Sequence, residues 1–196
     1  MYNIISVTNR KLCKTDFLKR ISEVAKENPK AIILREKDLS ENEYKALAVN
    51  VLKICSKHNV KCILHSFVKT AEELNAESIH VPMHILREMS EEDKSRFKTI
   101  GASCHSVEEA VEAEKLGCTY ITAGHVFVTD CKKGLAPRGL DFLENVCKSV
   151  SIPVYAIGGI GAKNIDSVVN AGAEGGCIMS GIMQCESVHE YFKNFI

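Results

Sequence analysis

The chain has no surplus of charge: Lys plus Arg and Asp plus Glu stand at 25 each in 196 residues. No global field draws it to nucleic acid or an anionic membrane, so any recognition of an anion has to be local. Its nine cysteines include no CxxC pair, their number is odd, and Cys62 and Cys177 sit inside apolar runs. A disulfide framework and a zinc site are both disfavoured, and a reducing cytoplasm is the expected location. The first residues lack a basic flank and a long apolar stretch, which predicts a strand and not a signal peptide. No apolar run approaches the roughly 20 residues that a membrane helix needs. There is also no linker, charge block or low-complexity segment to divide the chain. Residues 1–196 are therefore expected to form one domain, long enough for a substantial core.

What is present is an alternation. Short apolar runs at 3–7, 31–34, 61–64, 78–81, 99–102, 120–123, 154–157 and 176–179 predict eight strands. Helical patterns fill the gaps. The stretch 16–26 puts Phe17, Ile21 and Val24 on one stripe, and 43–58 does the same with Leu47, Val51 and Ile54. Ser106-Val107-Glu108-Glu109 opens another helix in the manner of a capping box, and Gly117 ends it. Further helices are expected at 139–149, 164–171 and 185–195, with weaker patterns at 69–74 and at 84–94, just beyond Pro82. Strands too apolar to face water on either side, each followed by a helix, predict an α/β chain closed into a minimal (β/α)8 TIM barrel. An open doubly wound sheet is the alternative.

In both architectures ligands collect at the carboxyl ends of the strands. Ile157-Gly158-Gly159-Ile160-Gly161 and Met179-Ser180-Gly181 follow adjacent strands. Their backbone N–H groups suit a phosphate, although tight turns alone would need the same glycines. The longest loop, 124–134, carries His125, Thr129, Lys132 and Lys133. His125 is either a proton carrier or a structural imidazole bonded to a carbonyl. The two lysines either close over an anion or stay solvated. Arg35 suits a bidentate anion contact, or else pairs with Glu36. His65, His80, His84 and His105 are expected to be ordinary surface or core histidines, and no metal site is expected.

Leu34-Arg35-Glu36-Lys37, Gly101-Ala102-Ser103, the 124–134 loop, Ala156-Ile157-Gly158-Gly159-Ile160, and the stretch from Gly172 to Ile182 occur in the order found in the thiamine phosphate synthase and TenI superfamily. The chain resembles that superfamily over nearly its whole length and looks closest to TenI. The resemblance implies the barrel, a ligand related to the thiazole half of thiamine, and a homodimer. Thiamine phosphate synthases join a pyrimidine diphosphate to a thiazole phosphate, with magnesium held by aspartates after strands three and four. Where their pattern has Asn-Asp after strand three, this chain has His65-Ser66. Where they have His-Leu-Gly-Gln-x-Asp, it has His80-Val81-Pro82-Met83-His84-Ile85, and Ile33 replaces a glutamine.

These departures count against a magnesium-dependent synthase. The Gly-His-Val-Phe-x-Thr-Asp-Cys-Lys-Lys-Gly run instead looks like TenI and implies a thiazole tautomerase, an isomerase that aromatises a carboxythiazole phosphate by proton transfer without a cofactor or metal. On that reading His125 is catalytic, and Gly158, Gly159, Ser180 and Gly181 hold the phosphate. Arg35, Lys37, Ser103, Thr129 and Lys132 complete the substrate contacts. Synthase activity and a non-catalytic sensor of a thiamine-related phosphate are the alternatives.

Overall fold

Runs that are apolar on both faces must be covered on both faces, and here the sheet does this by closing on itself. In the computed structural model, which describes residues 2–129 and 134–196, all eight strands are parallel. They are β1 (Asn3–Val7), β2 (Ala31–Leu34), β3 (Cys62–His65), β4 (Ser78–Pro82), β5 (Thr99–Cys104), β6 (Tyr120–Gly124), β7 (Val154–Ile157) and β8 (Gly175–Ile178). They pair in sequence order and close through β1 and β8, which excludes the open sheet. β3 and β8 each lie one residue from their predicted positions, because pairing and not apolarity sets their ends. His65 pairs with His80, and Gly175 pairs with Asn3, whose carbonyl oxygen leaves no room for a Cβ there.

The helices are α1 (Phe17–Lys26), α2 (Glu41–Lys57), α3 (Val68–Glu73), α4 (Met83–Glu88), α5 (Glu91–Ser95), α6 (Val107–Lys115), α7 (Gly139–Ser149), α8 (Ile165–Asn170), α9 (Ser180–Gln184) and α10 (Val188–Lys193). Local chemistry sets several of their ends. Asp16 caps α1, and Ser40 with Glu43 forms a full capping box on α2. The single helix expected at 84–94 is two, because Ser90 and Asp93 form a second capping box that restarts the chain. At α6, Ser106 accepts from the Glu109 amide as expected, but the Glu109 carboxylate takes the His105 amide, one residue earlier than a box requires. The short helix α9, directly after β8, was not anticipated. None of the described helices is long and apolar enough to cross a membrane.

The core has two parts. The larger lies between the sheet and the helices, with Ile32, Leu34, Leu64, Ile79, Ile121 and Ala156 pointing outward from the strands. The smaller fills the lumen with Ile5, Val7, Ala31, Ile33, Ile63, Tyr120, Tyr155 and Cys177. The strand alternation also sends His65, His80 and Thr122 inward. The lumen is thus aliphatic along β1 and β2 and polar from the end of β3 to β6, and that polarity rises toward the carboxyl ends of the strands.

Candidate active site

At those carboxyl ends a cavity of about 260 Å³ receives a residue from every strand or the turn after it. Val7 comes from β1, His65 from β3, Pro82 from β4, Ser103 from β5, Gly124 from β6, Ile157 from β7 and Cys177 from β8; Arg35 and Lys37 follow β2. A larger cavity of about 540 Å³ opens at the other end of the barrel, between Asn3, Asn28, Lys61 and Phe195, and it too has lysines in its wall, but the glycine turns at the strand ends line only the first.

Each edge of the mouth is held by identifiable contacts. After β2, the Thr8 hydroxyl accepts from the Arg35 amide at 2.9 Å and donates to Glu36 at 2.7 Å. Glu36 also accepts from the Arg10 amide and guanidinium, so its charge is spent beside β1 and the expected alternative of an Arg35–Glu36 pair is not the arrangement found. Tyr44, buried on α2, donates to the Leu34 carbonyl at 2.7 Å and accepts from the His65 amide at 2.8 Å. One phenol therefore ties the ends of β2 and β3 together, directly beneath Arg35 and His65.

Next to it runs a polar chain. His80 is hydrogen-bonded through Nδ1 to the Tyr120 hydroxyl and through Nε2 to Ser103, both at 2.8 Å. Burial holds Tyr120 protonated well above its usual range. With its O–H donating to Nδ1, the Nε2–H donates to Ser103, and the Ser103 proton is left for a ligand. Gly101 makes this possible, because a Cβ there would fall 2.2 Å from the Tyr120 ring. Burial, reinforced by Arg35 and Lys37, pushes the His80 pKa down to about 3. The same burial, with His80 and then Arg35 and Lys37, holds His65 well below its ordinary value. Both rings, stacked with centroids 5.6 Å apart, are neutral at physiological pH.

The opposite edge is made of backbone. Gly158 and Gly159 have φ of 98° and 68°, and a Cβ on Gly158 would lie 2.3 Å from the Cβ of His125. The turn is laced to the β6 loop, where the Val126 amide donates to Ile157 and the Phe127 amide to Gly158. Asn164 closes it, accepting from the Gly161 amide and donating to the Gly159 carbonyl, both at 2.9 Å. His125 is buried, with Nε2 3.4 Å from the Leu135 carbonyl and Nδ1 without a hydrogen-bond partner among the described residues.

Of the residues singled out in the sequence, Arg35, Lys37, Ser103, His125, Thr129, Gly158, Gly159 and Ser180 line this cavity. Gly181 does not; it lies under Tyr191, whose hydroxyl fills the space a side chain would need. Lys132 falls outside the described residues. Two lining histidines were passed over as ordinary, His65 and His105. Their position at strand ends was the available signal. His105 is held by Nδ1, 2.8 Å from the Gly124 carbonyl. His80, by contrast, is the core histidine expected, and His84 is exposed.

Residues 4–182 match the family described as thiamine monophosphate synthase. Among curated proteins, the thiamine-phosphate synthase of Clostridium acetobutylicum is 33% identical over 96% of this chain and 90% of its own length. That of Fusobacterium nucleatum is 34% identical over 98% and 96%. Among solved structures, thiamine phosphate pyrophosphorylase from Pyrococcus furiosus superposes with a TM-score of 0.84 at 27% identity, covering 98% of this chain and 92% of that one.

These relatives overturn the expectation of a tautomerase and of an isomerase. That expectation weighed the 124–134 loop and the departures at Ile33, His65, Ser66 and Ile85 against the rest of the chain, whereas the likeness to synthases runs from end to end. Physically, a buried loop histidine can bind a ligand as readily as it can carry a proton. The presence of His125 therefore does not select the reaction.

Proposed function

The chain belongs to the thiamine monophosphate synthase family, and on that premise we propose that it is a transferase joining a pyrimidine, activated as its diphosphate, to a thiazole phosphate. The ring nitrogen of the thiazole attacks the methylene carbon of the pyrimidine as the bond from that carbon to the diphosphate oxygen breaks. The products are thiamine phosphate and inorganic pyrophosphate, with no change of oxidation state. Catalysis of such a displacement consists of placing two rings in line and stabilising the charge of the departing anion.

The observation that supports this reading is one cavity with two dissimilar edges, glycine backbone after β7 beside Ser180, and cations after β2. The backbone N–H groups of Gly158, Gly159 and Ser180 hold the thiazole phosphate. Arg35 and Lys37 hold the diphosphate, and Lys132 is assigned to the same anion on its sequence position alone. Ser103 and Thr129 orient the rings between the two anions. The Nδ1 of His125 has no hydrogen-bond partner among the described residues, which leaves His125 as a binding group at the junction of the two substrates.

The test is to mix purified protein with both substrates and follow thiamine phosphate and pyrophosphate together. Equal amounts of the two are expected. Pyrophosphate released without thiamine phosphate, or neither product, would sink the proposal.

A further inference from the structure

The magnesium implied by the resemblance to synthases does not fit the groups present. The two positions that would carry its aspartates are Ser66 and Ile85. No Asp or Glu lines the described cavity, and among the described residues no group of three His, Cys, Asp or Glu could hold a metal ion. Magnesium asks for carboxylate oxygens and is served poorly by imidazole beside guanidinium and ammonium groups.

Resting on the transferase reading above, we propose that this site binds the diphosphate without a divalent cation, between Arg35, Lys37 and the ring of His65. All three line the same side of the cavity, over the ends of β2 and β3. The frame beneath them is rigid, since Thr8 fixes the Arg35 amide and Tyr44 bonds both Leu34 and His65. The nearest acid in sequence, Glu36, is engaged by Thr8 and Arg10.

His65 is 4% exposed and bonded through Nδ1 to the Ser66 hydroxyl at 2.7 Å. With that hydroxyl donating to Nδ1, Nε2 carries the proton, and Nε2 has no partner among the described residues. A neutral imidazole is well suited to the place, because it offers a donor to a phosphate oxygen while adding no further charge to be desolvated. Burial keeps both His65 and His80 neutral, and the nearby charges of Arg35 and Lys37 act in the same direction. A magnesium ion would enter against their field, whereas a free diphosphate enters with it. The residue that supplies a carboxylate in the synthase pattern thus becomes, in this chain, the hydroxyl that sets the tautomer of His65.

The experiment is a calorimetric titration of the full chain with inorganic pyrophosphate, once with a chelator and once with excess magnesium. Pyrophosphate is expected to bind in the chelator and to bind more weakly once magnesium sequesters it. Lys37→Gln, at an exposed position where the fold is not at risk, should weaken the metal-free binding about tenfold. Binding that appears only with magnesium, or that magnesium tightens about tenfold or more, overturns the inference, as does absence of binding under both conditions. The two readings fail separately. Metal-free pyrophosphate binding without formation of thiamine phosphate would remove the transferase proposal alone. Product formation with magnesium-dependent pyrophosphate binding would remove only the claim of metal independence.

Discussion

The two edges of the mouth are built by different means. After β7 the cavity wall is backbone, shaped by two glycines with positive φ and tied to the β6 loop by amide hydrogen bonds. After β2, β3 and β5 it is side chains on strand ends that buried side chains support: Thr8 holds the Arg35 amide, Tyr44 the His65 amide and His80 the Ser103 hydroxyl. A backbone wall is indifferent to most substitution but cannot survive the loss of its glycines. A side-chain wall can be rewritten one residue at a time while the strands beneath it stay put. Apart from His125, the departures from the synthase pattern, at Ile33, His65, Ser66, Val81, Pro82, Met83 and Ile85, fall on the side-chain edge or the strands supporting it. The glycine edge keeps the pattern.

The sharpest way to break this comparison is to put a methyl group on the backbone edge. Gly158→Ala faces both a left-handed φ and the Cβ of His125, and is expected to cost about 2–4 kcal/mol of stability. It should also abolish use of the thiazole phosphate, as read by urea unfolding and by turnover. An alanine variant with wild-type KM for that substrate would show that the turn has no role in binding. The matching change on the other edge, Arg35→Gln, removes one charged partner worth about 1.5–3 kcal/mol. It should raise KM for the pyrimidine diphosphate roughly ten- to hundredfold and leave KM for the thiazole phosphate within about twofold. Equal loss for both substrates would mean that the edges are not separate subsites.

The fold was far more legible than the site. Strands at 3–7, 31–34 and 154–157 were placed to the residue because apolar runs bounded by polar or turn residues leave little choice. The break between α4 and α5 was legible in principle, in Ser90 and Asp93, but a continuous helical pattern concealed it. On the site, the glycine turn after β7 pointed to the face of the barrel where the 260 Å³ cavity opens. His65 and His105 were missed because a histidine without a charged partner in sequence looks the same in a core as in a cavity. Tyr44 could not be assigned either, since nothing in an amphipathic helix says that one of its phenols will reach up to bond the next strand. The choice of reaction went astray for a related reason. The loop around His125 is a strong local pattern, and the residues that set the chemistry of the other substrate lie elsewhere.

The support under the side-chain edge can be tested with a smaller change. Tyr44→Phe leaves the ring in place and removes the hydroxyl shared by Leu34 and His65. It orphans a buried amide and a buried carbonyl, for an expected loss of about 1–3 kcal/mol. Pyrophosphate affinity should fall as well, since Arg35 and His65 lose their common anchor. Full affinity in a destabilised variant would assign Tyr44 to folding alone.

The smallest effect separates the edges by acid. His80 in the folded chain has a pKa of about 3 against 6.5 for the free side chain, and His65 is displaced in the same direction. Between those two values the unfolded chain binds protons that the folded chain refuses, so stability rises with pH in that window and is lost as pH falls below about 6.5. Each group contributes a slope approaching about 1.4 kcal/mol per pH unit. Measured from pH 6.5 down to pH 5, above the range in which most carboxylates titrate, the slope belongs mainly to buried imidazoles. His80→Gln keeps an amide between Tyr120 and Ser103 and should flatten the slope by about half. Ser180→Ala, on the backbone edge, should leave it unchanged. If His80→Gln titrates like the wild type, the neutral imidazole pair is not where the acid sensitivity lies, and the side-chain edge loses its claim to be the electrostatically tuned half of the site.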